Sequence, residues 1–276
     1  MNQPGDADVL MVKARSALLD ALEALAEHRD AVVVVGAQAI YLHTGNVDVA
    51  LAEATKDSDL VLNPASLSDE PLVEEAMTAA GFFLDPLSNQ PGAWMNPAGV
   101  PVDLMVPEAL AGAGGKTARG GRIPPHAKNA TRRARGLEAA IVDHEPMTVD
   151  SLDPSDTRSF EANVAGPAAL IVAKLHKLGE RSKGQGRLVD KDAHDIYRVF
   201  RAVHTETLVT GFHILCADDA SGEVTKEALR YLEELFGEEA ALGSIMAGRA
   251  EEGIGNPPEV SASAVLLARD LMERLP

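Results

Sequence analysis

The sequence predicts an α+β protein: a mixed β-sheet core flanked by helices, followed by an all-helical C-terminal domain. Three observations predict it. Ala31-Val-Val-Val-Val-Gly36 is a β-branched run closed by glycine, the pattern of a strand buried on both faces. Further strand candidates crowd the first 150 residues. Beyond Asp150 the periodicity becomes helical throughout, so the boundary falls near 150, with domains at 1–150 and 151–276.

In chain order, Asp6 or Asp8 is expected to cap a helix running to about Glu27, whose Val9, Leu10, Val12, Ala17, Leu18, Ala21, Leu22 and Leu25 form one apolar stripe. The valine strand follows, then a helix from Ala37 to His43 that stops near Gly45. Thr55 to Leu62 reads as a second strand with a charged entrance, ended by Pro64. Residues 69–80 suit a helix and Gly81–Leu84 a strand. Asn96-Pro-Ala-Gly99 marks a turn between a short strand at Trp94 and another at Val100–Val106. Residues 111–136 form a Gly- and Arg-rich connection. Ala139–Val142 and Met147–Val149 are read as strands. Helices are then expected over roughly 166–181, 190–204, 206–215, 224–236, 238–249 and 261–274.

The 276 residues carry 42 acids against 25 Lys and Arg, a formal charge of −17, which argues against a protein that coats nucleic acid or anionic membranes indiscriminately. With 46% hydrophobic but only 4% aromatic residues, the core must come from Ala, Val, Leu and Ile. The single cysteine, Cys216, excludes an internal disulfide or a multi-cysteine metal site, and its apolar surroundings suit core better than nucleophile. No 18-residue apolar run crosses a membrane, and the first residues lack a signal-peptide pattern. A cytoplasmic protein is expected.

Three aspartates stand out. Asp57 and Asp59 lie two apart at the mouth of an apolar strand, so they share a face. Asp103 interrupts the apolar strand Val100–Val106, where a carboxylate is expensive unless a metal or cation matches it. Three oxygen donors on neighbouring strands suit Mg²⁺ together with substrate phosphate oxygens. Gly36, closing the valine strand before a helix, offers bare amides to a phosphate. Gly36-Ala37-Gln38 lacks the glycine spacing of a Walker A loop or a dinucleotide fingerprint. A D-x-D pair taken alone is more often a solvated strand end.

Taken together, Val35-Gly36-Ala37, a helix, Thr55-Lys56-Asp57-Ser58-Asp59-Leu60, and Val102-Asp103-Leu104 resemble the nucleotidyltransferase superfamily, the polymerase-β-like fold. The chain departs from that pattern at Ala37, where many members place Gly or Ser against the nucleotide phosphates. Gly166-Pro-Ala-Ala-Leu-Ile-Val-Ala-Lys174-Leu-His-Lys177-Leu-Gly-Glu-Arg181 and Asp190-Lys191-Asp192-Ala-His-Asp195-Ile-Tyr-Arg198 are similar to the AbiEii/MenT-type branch. The resemblance spans about residues 31–204. It implies Asp57, Asp59 and Asp103 as Mg²⁺ ligands, with Lys174 and Asp195 also in the catalytic set. It places Gly36, Ala37, Lys56, Lys177 and Asp192 around the nucleoside triphosphate. Members of that branch are toxins of toxin–antitoxin systems, some of which transfer nucleotides to tRNA.

The helix spacing can be read without the resemblance. Lys174, Lys177 and Arg181 lie along one helix face, Asp192 and Asp195 share a face of the next, and a glycine-containing loop lets the two pack antiparallel. A solvated hairpin with surface ion pairs is the bland alternative.

Between Glu108 and Glu138 there is no acid and there are seven bases: Lys116, Arg119, Arg122, Lys128, Arg132, Arg133 and Arg135. This stretch is +7 in a background of −24. It is suited to an RNA backbone or nucleotide phosphates, or else to the protein's own acidic surface. Ser58 and Thr55 flank the acid pair as possible modification sites. The expectation is a Mg²⁺-dependent transfer of a nucleoside monophosphate from an NTP to an acceptor hydroxyl, the acceptor being tRNA and a cognate antitoxin a partner. The competing readings are a small-molecule (antibiotic) nucleotidyltransferase and a catalytically silent binding protein of the same fold.

Overall fold

The computed structural model describes residues 4–45, 47, 49, 56–114, 118–184 and 188–275, with the backbone alone for residues 4–8. Helix α1 (Pro4–Ala24) buries Ala14, Ala17, Leu18 and Ala21 along one side, the spacing of a core-facing stripe. Asp6 and Asp8 lie inside it, so neither is its cap. A 3-10 turn (Ala26–Ala31) leads into β1 (Val32–Val35), whose four valines are all buried. Helix α2 (Gly36–Thr44) starts directly at the end of that strand.

The chain continues through β2 (Ser58–Leu62), α3 (Val73–Ala79), β3 (Phe83–Leu84), β4 (Ala93–Met95) and β5 (Pro101–Pro107). Next come β6 (Arg132–Ala134), α4 (Glu138–Val142), β7 (His144–Asp150) and β8 (Ser159–Ala165). The strands form one mixed sheet ordered β3-β4-β5-β2-β1-β8-β7, with β6 paired to β5. β1 runs antiparallel to β2 and parallel to β8, while β2 and β5 are parallel. The remainder is helical: α5 (Pro167–Lys183), α6 (Asp190–Ala202), α7 (Thr205–Ala217), α8 (Gly222–Phe236), α9 (Leu242–Arg249) and α10 (Pro257–Glu273).

The α+β architecture is therefore as expected, with four differences in its elements. Ala139–Val142 is helix, not strand. It is a short apolar run, which periodicity alone cannot assign, and Glu138 with two alanines favours the helix. β6 lies inside the connection read as irregular. β8 lies beyond residue 150 and pairs with β1 through Val33↔Asn163 and Val34↔Val164, so the strands continue to Ala165. α9 also begins at Leu242, later than the 238 expected.

The helices are tied to the sheet by named contacts. Asp143 Oδ2 accepts the Ala169 amide at 3.1 Å and so caps α5 from outside the helix. Arg198 of α6 donates to Thr44 Oγ1 and to the carbonyls of Gly45 and Val49, which holds the chain leaving α2 against α6. Phe212, Leu232, Phe236 and Leu271 fill the interior of the C-terminal helices. No helix of the described residues is long and apolar enough to cross a membrane.

Candidate active site

Two strands bring the acids together. Asp59 on β2 is the register partner of Asp103 on the parallel β5, and on its other side it faces Val35 of β1. Paired strands lie about 4.8 Å apart, and register partners in a sheet point to the same face, so the two carboxylates project side by side. Asp57, exposed and two residues earlier, adds its charge to both.

The electrostatic result is an over-acidic ridge. Burial, joined by the charges of Asp57 and Asp103, pushes the Asp59 carboxyl up to about 7 against the opposing fields of Lys177 and Lys174. Burial also raises Asp103, while Arg132 pulls it back. Carboxylates crowded together in this way are the oxygen donor set of a hard cation, so the residues fit Mg²⁺ chemically. Among the described residues, however, no three His, Cys, Asp or Glu are gathered closely enough to hold a metal as they stand. Arg132 takes Asp103 Oδ2 at 2.6 Å.

Gly36 is the residue that lets helix and ridge meet. Its φ is +67°, and a Cβ there would overlap Asp59 Oδ2. Any other residue would be strained in backbone and would displace the acid. The helix N-terminus, with its partial positive charge, is thereby brought against Asp59. Ala37 is buried in the first turn, so what it can present to a ligand is backbone. Lys56 is exposed beside Asp57. Ser58 is fully buried and donates to the Ala14 carbonyl at 2.7 Å, which makes it a tie to α1 and not a modification site. Thr55 lies outside the described residues.

On α5 and α6 the cations and acids interlock. Lys174 Nζ donates to Asp192 Oδ1 at 2.8 Å and Asp195 Oδ2 at 2.7 Å. Burial opposes the Lys174 charge, but the two aspartates outweigh it and raise its pKa above the ordinary lysine value. Burial likewise opposes ionisation of Asp192 and Asp195, and their lysine partners outweigh it, leaving both below the ordinary carboxylate range. Lys177 and Arg181 bind Asp192 from the outside, and Lys191 binds Asp195. Four cations thus meet two carboxylates. The surplus is carried outward by Lys177 and Arg181, 44% and 34% exposed against 10% for Lys174.

The sequence carries Lys191 within the Asp190–Arg198 motif without giving it a role, and it does not place Arg132 here. Lys191 sits four residues before Asp195 and rests on the Tyr41 ring of α2, a helix spacing that was readable. Arg132 belongs to the basic segment, which suits either an RNA backbone and nucleotide phosphates or the protein's own groups, and much of that segment is engaged internally. Arg133 donates to the carbonyls of Ala111, Gly112 and Gly120, and Arg135 pairs with Glu227. Arg119, Arg122 and Lys128 are exposed, and Lys116 lies outside the described residues. Cys216 is half-buried, and burial raises its thiol pKa, which does not suit a nucleophile.

A mixed sheet with acids on adjacent strands, a glycine-opened helix against them and a cationic helix pair alongside is a frame for handling a nucleotide's phosphates. A family model described as a nucleotidyltransferase matches residues 13–213, a span that includes every strand of the sheet and the α5–α6 pair. The chain belongs to this nucleotidyltransferase family, and its activity is the transfer of a nucleotide. No curated protein and no solved structure matches it.

Proposed function

We propose that this nucleotidyltransferase is a Mg²⁺-dependent enzyme of the AbiEii/MenT-type toxin branch, moving a nucleoside monophosphate from an NTP to a hydroxyl of tRNA. The observation that carries the reading is the in-register pair Asp59 and Asp103, set against Gly36 and within the field of Lys174 and Lys177. Asp57, Asp59 and Asp103 would hold the cation. Bound Mg²⁺ supplies neutralisation of phosphoryl charge and activation of the acceptor hydroxyl.

The chain's own groups do the rest. Lys177 and Arg181 face outward for the triphosphate, and Lys174, locked by Asp192 and Asp195, keeps that cationic edge in place. The backbone at Gly36 and Ala37 approaches the phosphates without a side chain in the way. Asp103 receives the acceptor hydroxyl's proton as its oxygen attacks the α-phosphorus, and pyrophosphate departs with the electrons of the broken P–O bond. Arg119, Arg122 and Lys128 bind the RNA backbone by charge. The toxin role rests on the resemblance of Lys174–Arg181 and Asp190–Arg198. It implies a cytoplasmic setting and a cognate antitoxin.

The test is incubation with Mg²⁺, each labelled NTP in turn and total tRNA. Label should enter tRNA from a restricted set of NTPs, and Asp59→Ala should lower the rate by at least about 10³-fold. Reversing Arg119, Arg122 and Lys128 to Glu should raise KM for tRNA about tenfold with kcat little changed. Label on small acceptors but never on RNA would overturn the tRNA assignment. An Asp59→Ala protein as active as wild type would overturn the site.

A further inference from the structure

The inference concerns Arg132 and rests on the metal-dependent reading above. Arg132 is held in place by backbone. It is the register partner of Met105 on β5, and Gly92 packs against its amide so closely that a Cβ there would collide with the Leu104 carbonyl. Trp94 Nε1 donates to the Ala130 carbonyl at 2.9 Å, fixing the chain just before it. From this position Nη2 reaches Asp103 Oδ2 at 2.6 Å and Met105 Sδ at 3.4 Å, while the buried Nε has no hydrogen-bond partner.

That pairing is incomplete. A guanidinium matches a carboxylate or phosphate through two parallel N–H donors, as Arg249 shows by giving Nε and Nη2 to the two oxygens of Asp190. Arg132 uses one donor on one oxygen and leaves Nε unsatisfied, although it is only 28% exposed. A polyphosphate would serve both donors. Two cations cannot share Asp103 Oδ2 without repulsion.

We propose that Arg132 is a positioning residue that occupies Asp103 as a resident cation, competing with divalent metal there until an arriving polyphosphate draws the guanidinium away. Metal alone is then confined to the Asp57–Asp59 side of the ridge. Asp103 joins the site only in the presence of nucleotide, so the order of loading is built into the fold.

The experiment is Mn²⁺ titration of the full chain, read by electron paramagnetic resonance at neutral pH, with and without a non-hydrolysable NTP analogue. Without nucleotide, Asp103→Asn should bind Mn²⁺ as wild type does; with the analogue it should bind about tenfold more weakly. Arg132→Gln should tighten binding of Mn²⁺ alone about five- to tenfold, Arg132→Lys should not, and adding Asp103→Asn to Arg132→Gln should abolish the gain. Weaker nucleotide-free binding in Asp103→Asn overturns the proposal, as does a folded Arg132→Gln with wild-type affinity. If Arg132→Gln does not fold, the two Asp103→Asn titrations decide. Wild-type protein that binds Mn²⁺ neither alone nor with the analogue defeats the metal-dependent reading itself. Binding of both with failed variants defeats this inference alone.

Discussion

Asp59 faces Asp103 across β2 and β5 and stands against Gly36, where burial and its acidic neighbours push its carboxyl up to about 7. The unfolded chain titrates this group near 3.9. A folded pKa above the unfolded one contributes stability that is fully present below about 3.9 and is lost as pH rises through about 7. Above pH 7 the ionised Asp59 therefore works against the fold. In metal-free protein, Asp59→Asn should be more stable than wild type by about 1–3 kcal/mol above pH 7 and no more stable near pH 4. Mg²⁺ should close the gap by stabilising wild type alone. Thermal unfolding across pH, with and without Mg²⁺, measures this. A gap that is the same at pH 4 and pH 8 would show that charge is not its cause.

The α5–α6 pair shows the opposite economy, because its buried charges are matched. Lys174 is shared by Asp192 and Asp195, with Lys177, Arg181 and Lys191 outside. Removing one partner from such a buried set costs more than the set is worth net, so Asp195→Asn should cost about 2–4 kcal/mol at neutral pH. Asp195 lies below its unfolded value, so its contribution is present above about pH 4 and is lost as pH falls through the folded value. The difference from wild type in urea unfolding should therefore shrink on acidification below about pH 4. A constant difference would mean that the loss comes from packing.

This pair was legible because its partners lie on consecutive helices, where i, i+3 and i+7 spacing fixes the faces. The ridge was legible in part. Alternation showed that Asp57 and Asp59 share a face, but their meeting with Asp103 rested on a resemblance and not on any local pattern. Arg132 was not legible at this site, because it reaches Asp103 over 29 residues through a three-residue strand that only the folded loop creates.

At the scale of the whole molecule, the formal charge of −17 describes no single surface. Residues 206–259 carry 12 acids against three bases, while several cations of the basic segment are engaged inside the protein. Connectivity matters more than net charge for whether the molecule holds together. The sequence break at Asp150 looks like an end of the strand-rich region because Ser151 to Arg158 is a polar, proline-containing stretch. Phe160, Ala162 and Val164 do alternate with polar residues, but Asn163 and the short length hide the strand. Yet β8 fills the gap between β1 and β7, with Val164 fully buried opposite Val34.

A chain cut at 150 would leave the valine strand β1 as an open apolar edge and take β8 away from all seven of its register pairs with β7. The fragment 1–150 should accordingly be insoluble or lack a cooperative unfolding transition. In the full chain, Val164→Asp should cost about 4 kcal/mol or more by burying an unpaired carboxylate in the middle of the sheet, whereas Glu161→Gln on the same strand should change stability by less than about 1 kcal/mol. Circular dichroism and denaturant unfolding separate these outcomes. A fragment 1–150 that unfolds cooperatively would mean that the sheet can close without β8, and that the helices are an appendage and not a cover for its centre.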